Sequence, residues 1–254
     1  DVISGEKISV GPPFYHKLFV LFLIPFLLFM SFGPKLNWIK SKIENKISLI
    51  IFFIISIFLS FFIIRKLSTD LLINTVLISS AFYLFFITIK DLLFKKFTNL
   101  SQVVAHFGFS LFVLSILFNS LLSSEVITNI KVGEKINFNK DTIYFEKTEK
   151  KESGNYISIV GYFKINNDKK KTIYLKPELR IYNQPITITS EADIRTTLLA
   201  DTFLVMNLVK GEEYFNIRYQ VKPFMVWIWV SVLLLCVGGL ISLFKKKIWK
   251  IEFI

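Results

Sequence analysis

Residues 103–122, with the sequence VVAHFGFSLFVLSILFNSLL, decide the fold of this chain. The run is twenty residues long and contains no Asp, Glu, Lys or Arg. At a rise of about 1.5 Å per residue, a helix of this length extends about 30 Å, which matches the hydrocarbon core of a bilayer. The sequence therefore predicts a transmembrane helix over residues 103–122.

Four further apolar runs of similar length occur in the chain. They cover residues 14–32, 47–64, 71–89 and 224–244. These runs explain why 53% of the 254 residues are hydrophobic and 28 are Phe, more apolar surface than a soluble protein of this length needs. We therefore predict a membrane protein with five transmembrane α-helices.

The segment between the fourth and fifth runs has a different pattern. Phe215, Ile217, Tyr219 and Val221 alternate with polar neighbours, which is typical of a strand with one buried face. Other short strand-like runs cover residues 143–145, 156–165, 172–175 and 186–189. We expect a small, mainly-β domain here, built as an antiparallel barrel or sandwich.

Basic residues in the short loops predict the orientation. Eleven of them lie on one side of the predicted spans: Lys35, Lys40, Lys42, Lys46, Lys90, Lys95, Lys96, Lys245, Lys246, Lys247 and Lys250. Four lie on the other side: Lys7, Lys17, Arg65 and Lys66. Because short cytoplasmic loops carry the excess of Lys and Arg, we expect the N-terminus outside and the C-terminus in the cytoplasm.

This orientation makes the β domain extracytoplasmic and divides the chain into three parts. Residues 1–122 form a four-span membrane region, residues 123–222 the β domain, and residues 223–254 the fifth span with a cytoplasmic tail. The net charge of +12 is spread over loops beside the spans, which favours the membrane surface rather than nucleic acid as its partner. The single cysteine, Cys236, excludes an internal disulfide, and the sequence contains no Ser/His/Asp set, Walker motif or zinc-ligand cluster.

His106 is an ionisable residue within the fourth predicted span, where such residues are costly and commonly functional. Three roles stay open for it: a haem or metal ligand, a proton relay, or a hydrogen bond to a neighbouring helix. The other histidine, His16, lies at the outer start of the first span as an interfacial polar residue. The two imidazoles are then on the order of 20 Å apart along the membrane normal, so they cannot be the two axial ligands of one haem.

Small residues follow His106, and another pair occurs in the fifth span. Gly108 and Ser110 lie within one turn of His106, and Gly238 and Gly239 are adjacent to each other. Such residues either let a flat macrocycle approach a helix or allow tight helix packing.

Two arginines of the β domain stand beside aromatic residues. Arg180 lies in the stretch LKPELRIY at 175–182, and Arg218 in IRY at 217–219. A guanidinium in this setting suits a haem propionate or a partner's carboxylate, and the alternative is a structural arginine.

Several stretches, taken in order, resemble the C-terminal part of the CcmF family, the haem lyase of cytochrome c maturation System I. They are KISVGPPF at 7–14, FGP at 32–34, AHFG at 105–108, LKPELRIY at 175–182, EADI at 191–194, KPFMVWIW at 222–229 and GG at 238–239. The set covers nearly the whole chain. The related nitrite-reductase assembly lyase shares this layout.

The resemblance implies a membrane-embedded haem b held by two histidines, and His106 matches one of these axial ligands. The second ligand lies in a part of the family that precedes the present residues, so we expect this chain to work with an N-terminal half. The implied function is attachment of haem to the CxxCH thiols of apocytochrome c. The implied partners are apocytochrome c, a haem chaperone and a thiol-reducing protein, in a bacterial or mitochondrial inner membrane.

Three alternatives stay open. The chain is a nitrite-reductase-type haem lyase paralogue, or it is a non-enzymatic membrane assembly component whose β domain docks a secreted partner. A transporter subunit is the weakest of the three, because only the fourth predicted span carries an ionisable group at depth.

Overall fold

The computed structural model describes residues 12–33, 46–67, 71–94, 100–167, 172–209 and 213–251. They form two compact units, one comprising residues 118–226 and the other the remaining residues on both sides. The lysine-rich segments 35–42 and 95–96, which contribute to the predicted orientation, lie outside the described residues.

Five α-helices are present: α1 (Pro12–Phe32), α2 (Lys46–Ile64), α3 (Leu71–Phe94), α4 (Leu100–Leu122) and α5 (Met225–Ile251). Among the described residues, four segments are long and apolar enough to cross a membrane: Ile47–Ile64, Leu71–Phe94, Leu100–Leu122 and Met225–Phe244. The corresponding stretch of α1, Leu18–Phe32, is shorter. Four of the five predicted spans are thus present as apolar helices of sufficient length, and the first span, residues 14–32, stays a prediction.

α3 is the central helix of the first unit, where it packs against both α1 and α2. Its middle is continuously buried, from Leu77 to Leu84. Aromatic pairs join it to α2, with Phe53 and Tyr83 in edge-to-face contact at 5.4 Å between ring centroids. Serine hydroxyls in these helices donate to backbone carbonyls of their own helix; for example, Ser56 donates to the Phe52 carbonyl at 2.7 Å. Because lipid offers no water, such internal hydrogen bonds are needed in a membrane span.

The second unit is a β-sandwich of two antiparallel sheets. The four-stranded sheet has the order β1 (Ser124–Ile130), β10 (Phe215–Pro223), β9 (Ala200–Leu208), β8 (Asp193–Thr196). The six-stranded sheet has the order β2 (Lys135–Phe138), β3 (Asp141–Ser153), β4 (Tyr156–Asn167), β6 (Glu178–Asn183), β7 (Ile186–Glu191), with β5 (Thr172–Leu175) also paired to β4. The predicted mainly-β domain is confirmed as a sandwich.

The sandwich core forms where the two sheets face each other. Phe145 and Phe163 stack at 4.2 Å between ring centroids, and Ile217 and Tyr219 approach from the other sheet. Tyr219 is only 1% exposed, and its hydroxyl donates to Asp141 Oδ2 at 2.8 Å. Burial and this hydrogen bond both raise the pKa of Tyr219 above its usual value. The alternating residues of β10 thus bury one face, as their pattern predicts.

Candidate functional site

His106 lies on a face of α4 that it shares with Gln102 and Val103, four and three residues earlier. This face lines a small recess of about 30 Å³ with residues of two other helices. α1 contributes Met30 and Ser31 to the wall, and α3 contributes Ile87, Thr88 and Asp91. His106 itself is half-buried. The structure therefore places the one membrane-embedded imidazole of the described residues beside a small recess whose wall includes polar side chains.

The hydroxyl protons of two wall residues are already committed to their own helices. The Ser31 Oγ donates to the Leu27 carbonyl at 2.8 Å. The Thr88 Oγ1 donates to the Leu84 carbonyl at 2.9 Å. Each hydroxyl has one proton, so both present only lone pairs to the recess.

Asp91 adds carboxylate oxygens to the same wall. The described side chains that can donate into the recess are therefore the imidazole N–H of His106 and the amide of Gln102. Ser31, Thr88 and Asp91 thus offer acceptors to an N–H of His106 on this side. In the neutral imidazole the other ring nitrogen has a lone pair that could bind a ligand.

Asp91 is a site residue that sequence analysis missed. The predicted third span stops at residue 89 because Lys90 and Asp91 interrupt the apolar run. The helix instead continues to Phe94, and Lys90 turns sideways, with its Nζ donating to Ser48 Oγ of α2 at 2.6 Å. The apolar residues 92–94 were the available signal that the helix goes on. α3 therefore also carries an ionisable group, so the fourth predicted span is not alone in doing so.

The small residues after His106 serve helix packing. A Cβ on Gly108 would lie 3.0 Å from both Leu234 Cβ and Leu235 N of α5. Ser110 is fully buried, and its hydroxyl donates to the Phe107 carbonyl at 2.8 Å. Of the two interpretations of these residues, the geometry favours close packing of α4 on α5 over the approach of a macrocycle.

The two glycines of α5 differ in their surroundings. A Cβ on Gly238 would lie 2.8 Å from the Ala105 backbone nitrogen, directly beside His106 in the sequence. A Cβ on Gly239 would meet no described atom within 4 Å. The Ser101 hydroxyl also donates to the Gly238 carbonyl at 2.8 Å, so α5 fixes the position of the first two turns of α4.

The residues fit one axial position for a haem. The recess, at about 30 Å³, has room for one or two water molecules, whereas pockets for ligands of even modest size are about 300–1,000 Å³. A macrocycle would therefore lie on the accessible side of the imidazole, not in the recess. Among the described residues, no group of three or more His, Cys, Asp or Glu forms another metal site. The side chain of His16 lies outside the described residues, although its backbone belongs to α1.

Arg180 lies on β6 and pairs with carboxylates of its own sheet. Its Nε is 3.2 Å from Glu178 Oε2, and its Nη1 is 3.8 Å from Glu191 Oε1. Its guanidinium also lies over the Tyr156 ring, 5.2 Å from the centroid. The hydrogen bond with Glu178 raises the pKa of Arg180.

Arg218 lies on β10, in the other sheet, and pairs with Glu125 of β1. Its Nε is 2.8 Å from Glu125 Oε1, and its Nη2 donates to Oε2 at 3.0 Å, which makes the pair bidentate. The hydrogen bond from Arg218, assisted by one from Gln220, holds the pKa of the Glu125 carboxyl below its usual value. The two arginines that sequence analysis singled out are therefore on separate sheets, each with an internal acidic partner.

Comparison with known proteins identifies the β-sandwich. Residues 121–223 match the family model described as the CcmF C-terminal beta-sandwich. These bounds closely follow the ten strands.

The similarity to curated relatives extends over almost the whole chain. The chain is 27% identical over 256 residues to the cytochrome c-type biogenesis protein CcmF of Escherichia coli K12. This alignment covers 95% of the chain and 39% of that protein. It is 25% identical over 261 residues to CcmF of Pseudomonas fluorescens, covering 97% and 40%. The probable cytochrome c-type biogenesis protein NrfE of E. coli is 28% identical over 152 residues, covering 60% and 28%.

A solved structure agrees with this result. The cytochrome c heme lyase CcmF has the same fold, with a TM-score of 0.69 at 18% identity, over 91% of this chain and 40% of that one. The chain thus spans about 40% of the length of the relatives that it matches. Its predicted resemblance to the C-terminal part of CcmF is confirmed.

Proposed function

We propose that this chain, which resembles the C-terminal part of CcmF, is the C-terminal portion of a haem lyase that attaches haem to the CxxCH thiols of apocytochrome c. The observation that carries the proposal is the conjunction of the matched sandwich with a membrane-embedded His106 beside an acceptor-lined recess. The alignment supports the fold and the resemblance to CcmF, and the recess offers acceptors to an N–H of His106.

In this proposal His106 is one axial ligand of a haem b. When bound, such a haem supplies one-electron redox chemistry, which would keep the iron of the delivered haem reduced. The protein's own contribution is positioning. Acceptors in the recess would orient the imidazole through its N–H, and the close approach of Ala105 to Gly238 fixes the helix backbone beside it.

Attachment itself requires no catalytic triad. Each CxxCH thiol adds across a vinyl group of the delivered haem: the S–H and C=C π bonds are lost, and one C–S and one C–H bond form. The reaction needs a reduced thiol, a correctly placed vinyl group and no external oxidant. The absence of a nucleophile motif in the sequence agrees with such chemistry.

A second axial ligand must come from elsewhere, because His106 is the one membrane-embedded histidine side chain among the described residues. We propose that a further segment, corresponding to the larger remaining part of the relatives, supplies it and covers the accessible side of His106. Apocytochrome c, a haem chaperone and a thiol-reducing protein complete the proposed set of partners.

Arg180 and Arg218 are proposed contacts for haem propionates or for a partner. Both are neutralised by internal carboxylates, so either contact would replace or extend an existing ion pair. Arg218 is the more accessible of the two. We further propose that the sandwich lies on the non-cytoplasmic side of a bacterial or mitochondrial inner membrane, with the N-terminus outside and the C-terminus in the cytoplasm.

A second candidate function is haem attachment restricted to a nitrite reductase, which the similarity to NrfE over 60% of the chain supports. The two candidates differ in their substrates, so the same experiment separates them. A non-enzymatic assembly role for the sandwich would involve no haem at His106.

The test is genetic. The gene that encodes this chain is deleted in its native host, and c-type cytochromes are detected by covalent haem staining after denaturing electrophoresis. The proposal expects loss of all haem-stained c-type cytochromes, restored by the wild-type gene and by Cys236→Ala, but not by His106→Ala. Cys236 is a suitable control because it is an exposed residue of α5 outside the recess. Loss confined to a nitrite reductase would establish the second candidate, and unchanged staining would contradict both.

A further inference from the structure

Three parts of the chain meet at one end of the four-stranded sheet. β1 starts at this end, two residues after α4 finishes, and β10 stops there, two residues before α5 begins. The strands are antiparallel in the order β1, β10, β9, β8. The turn from β8 to β9, residues 197–199, therefore lies at the same end. With strands about 4.8 Å apart, this turn begins one strand spacing to the side of β10 and extends to about 10 Å from it, where β8 ends.

A hydrogen bond ties the turn directly to this junction. Ala200 is the register partner of Pro223, the last residue of β10. One residue beyond, the Phe224 N–H donates to the Leu199 carbonyl at 2.9 Å. Phe224 has a φ of 62°, so the chain turns sharply from strand into helix at this point. The β8–β9 turn is thus fixed at the level where α5 begins.

The turn carries two adjacent exposed leucines. Leu198 is 70% exposed and Leu199 is 72% exposed. Thr197 closes the turn, since its hydroxyl donates to the Ala200 carbonyl at 2.7 Å and accepts from the Ala200 N–H at 3.1 Å. A single exposed leucine needs no explanation, but two together at the tip of a rigid turn form a protruding apolar point.

The start of α5 marks the level of the membrane surface. The segment apolar enough to cross the membrane begins at Met225. Trp227 and Trp229 occupy its first turns, and tryptophan is enriched where spans meet the headgroup region. The end of α4 lies at the same level as the start of α5, because Phe118 contacts Phe224 at 5.6 Å between ring centroids.

From this placement we infer that Leu198 and Leu199 insert into the lipid interface beside the start of α5. The occupant is the headgroup and upper acyl region of the bilayer, continuous with the lipid that surrounds α5. The inference requires α4 and α5 to be membrane spans and is independent of haem binding.

The test uses the purified complex, in a Cys236→Ala background, reconstituted in phosphatidylcholine nanodiscs. Leu198→Cys and, separately, Leu199→Cys are labelled with the environment-sensitive fluorophore NBD. We expect blue-shifted emission at both positions, and quenching when the lipid carries a nitroxide on its upper acyl chain.

Ile186→Cys is the matched control. Ile186 is also exposed, at 85%, and lies at the start of β7. Ser190, four residues further along β7, hydrogen-bonds to Asn207 near the end of β9 opposite the turn. Because β9 is about 30 Å long at about 3.3 Å per residue, the control label is far from the junction. It should show water-like emission and no lipid quenching.

Two results would overturn the inference. Labels at Leu198 and Leu199 with water-like emission, equal to that at Ile186, would show a solvent-exposed turn. Blue-shifted labels that lipid nitroxides do not quench would show that a protein covers the turn. Since all these substitutions are at exposed positions, the fold is retained in each variant, and an unchanged melting temperature verifies this.

Discussion

His106 has two sides with different chemistry. On the recess side, the hydrogen bonds of the neighbouring residues determine which donors and acceptors face the imidazole. The hydroxyl protons of Ser31 and Thr88 are used within their helices, and Asp91 offers only acceptors as a carboxylate. A water molecule fits the recess and would connect the imidazole N–H with the carboxylate. Carboxylate partners of this kind commonly orient histidine ligands and increase their basicity.

Replacing Asp91 should therefore change the redox potential of a haem bound at His106. Asp91→Asn removes a negative charge that favours the ferric state, so the midpoint potential should rise by on the order of tens of millivolts, where about 59 mV is a tenfold change in a one-electron equilibrium. Asp91→Glu should restore most of the original value. Redox titration of the purified complex measures this, and an Asn variant with the wild-type potential would exclude Asp91 from the site.

We expect Tyr219 to make the stability of the β-sandwich sensitive to alkali. Its pKa is raised in the folded state, so its contribution to stability is fully present below the unfolded pKa of about 10 and is lost as the pH rises above that value. Tyr219→Phe should cost about 1 kcal/mol at pH 8, because it removes the hydrogen bond to Asp141, and should flatten the alkaline loss.

Urea midpoints from pulse proteolysis of the complex between pH 8 and 11 measure this dependence. Tyr174→Phe is the control, because Tyr174 is exposed on β5 and should leave the pH profile unchanged. An identical profile for Tyr219→Phe and the wild type would show that another group causes the alkaline loss.

At the scale of elements, the contact between α4 and α5 positions the candidate ligand. Gly238→Ala would place a methyl group 2.8 Å from the Ala105 nitrogen, too close for backbone atoms to tolerate. Overpacking of this kind typically costs about 1–3 kcal/mol, partly offset by the better helix propensity of Ala. The complex should melt at a lower temperature and lose b-type absorbance.

Gly239→Ala is the matched control for this prediction. It adds the same methyl group one residue later, where no described atom lies within 4 Å. Its melting temperature should equal that of the wild type or exceed it slightly. If the two variants behave alike, the packing of α4 on α5 does not position His106.

The elements also show which features were predictable. The apolar runs and the alternation in β10 are local patterns. Four of the five predicted spans and the predicted β10 strand are confirmed. β9 was missed because Phe203–Met206 is an unbroken apolar run with no alternation to distinguish it. The partners of Arg180 and Arg218 depend on strand register. Asp91 lines the same recess as His106 only because α3 continues beyond its apolar run. Such long-range placements have no local signal.

At the scale of the whole molecule, the predicted orientation depends on loop lysines and can be tested directly. Tyr174→Cys, in a Cys236→Ala background, places a thiol on the exposed β5 strand. A membrane-impermeant maleimide added from the non-cytoplasmic side should label it in intact cells. Lys250→Cys in the tail should be labelled only after the membrane is permeabilised. The reverse pattern would invert the orientation.

The central claim is that His106 holds a haem b in a complex completed by a further segment. Its most direct test is the reduced-minus-oxidised absorbance spectrum of the purified complex with His106→Ala. Ser110→Ala is the control, since Ser110 is fully buried on α4 and bonds only to its own helix. The account predicts a b-type α band in the wild type and in Ser110→Ala, and its loss in His106→Ala with the complex still assembled. A full b-type band in the assembled His106→Ala complex would contradict it.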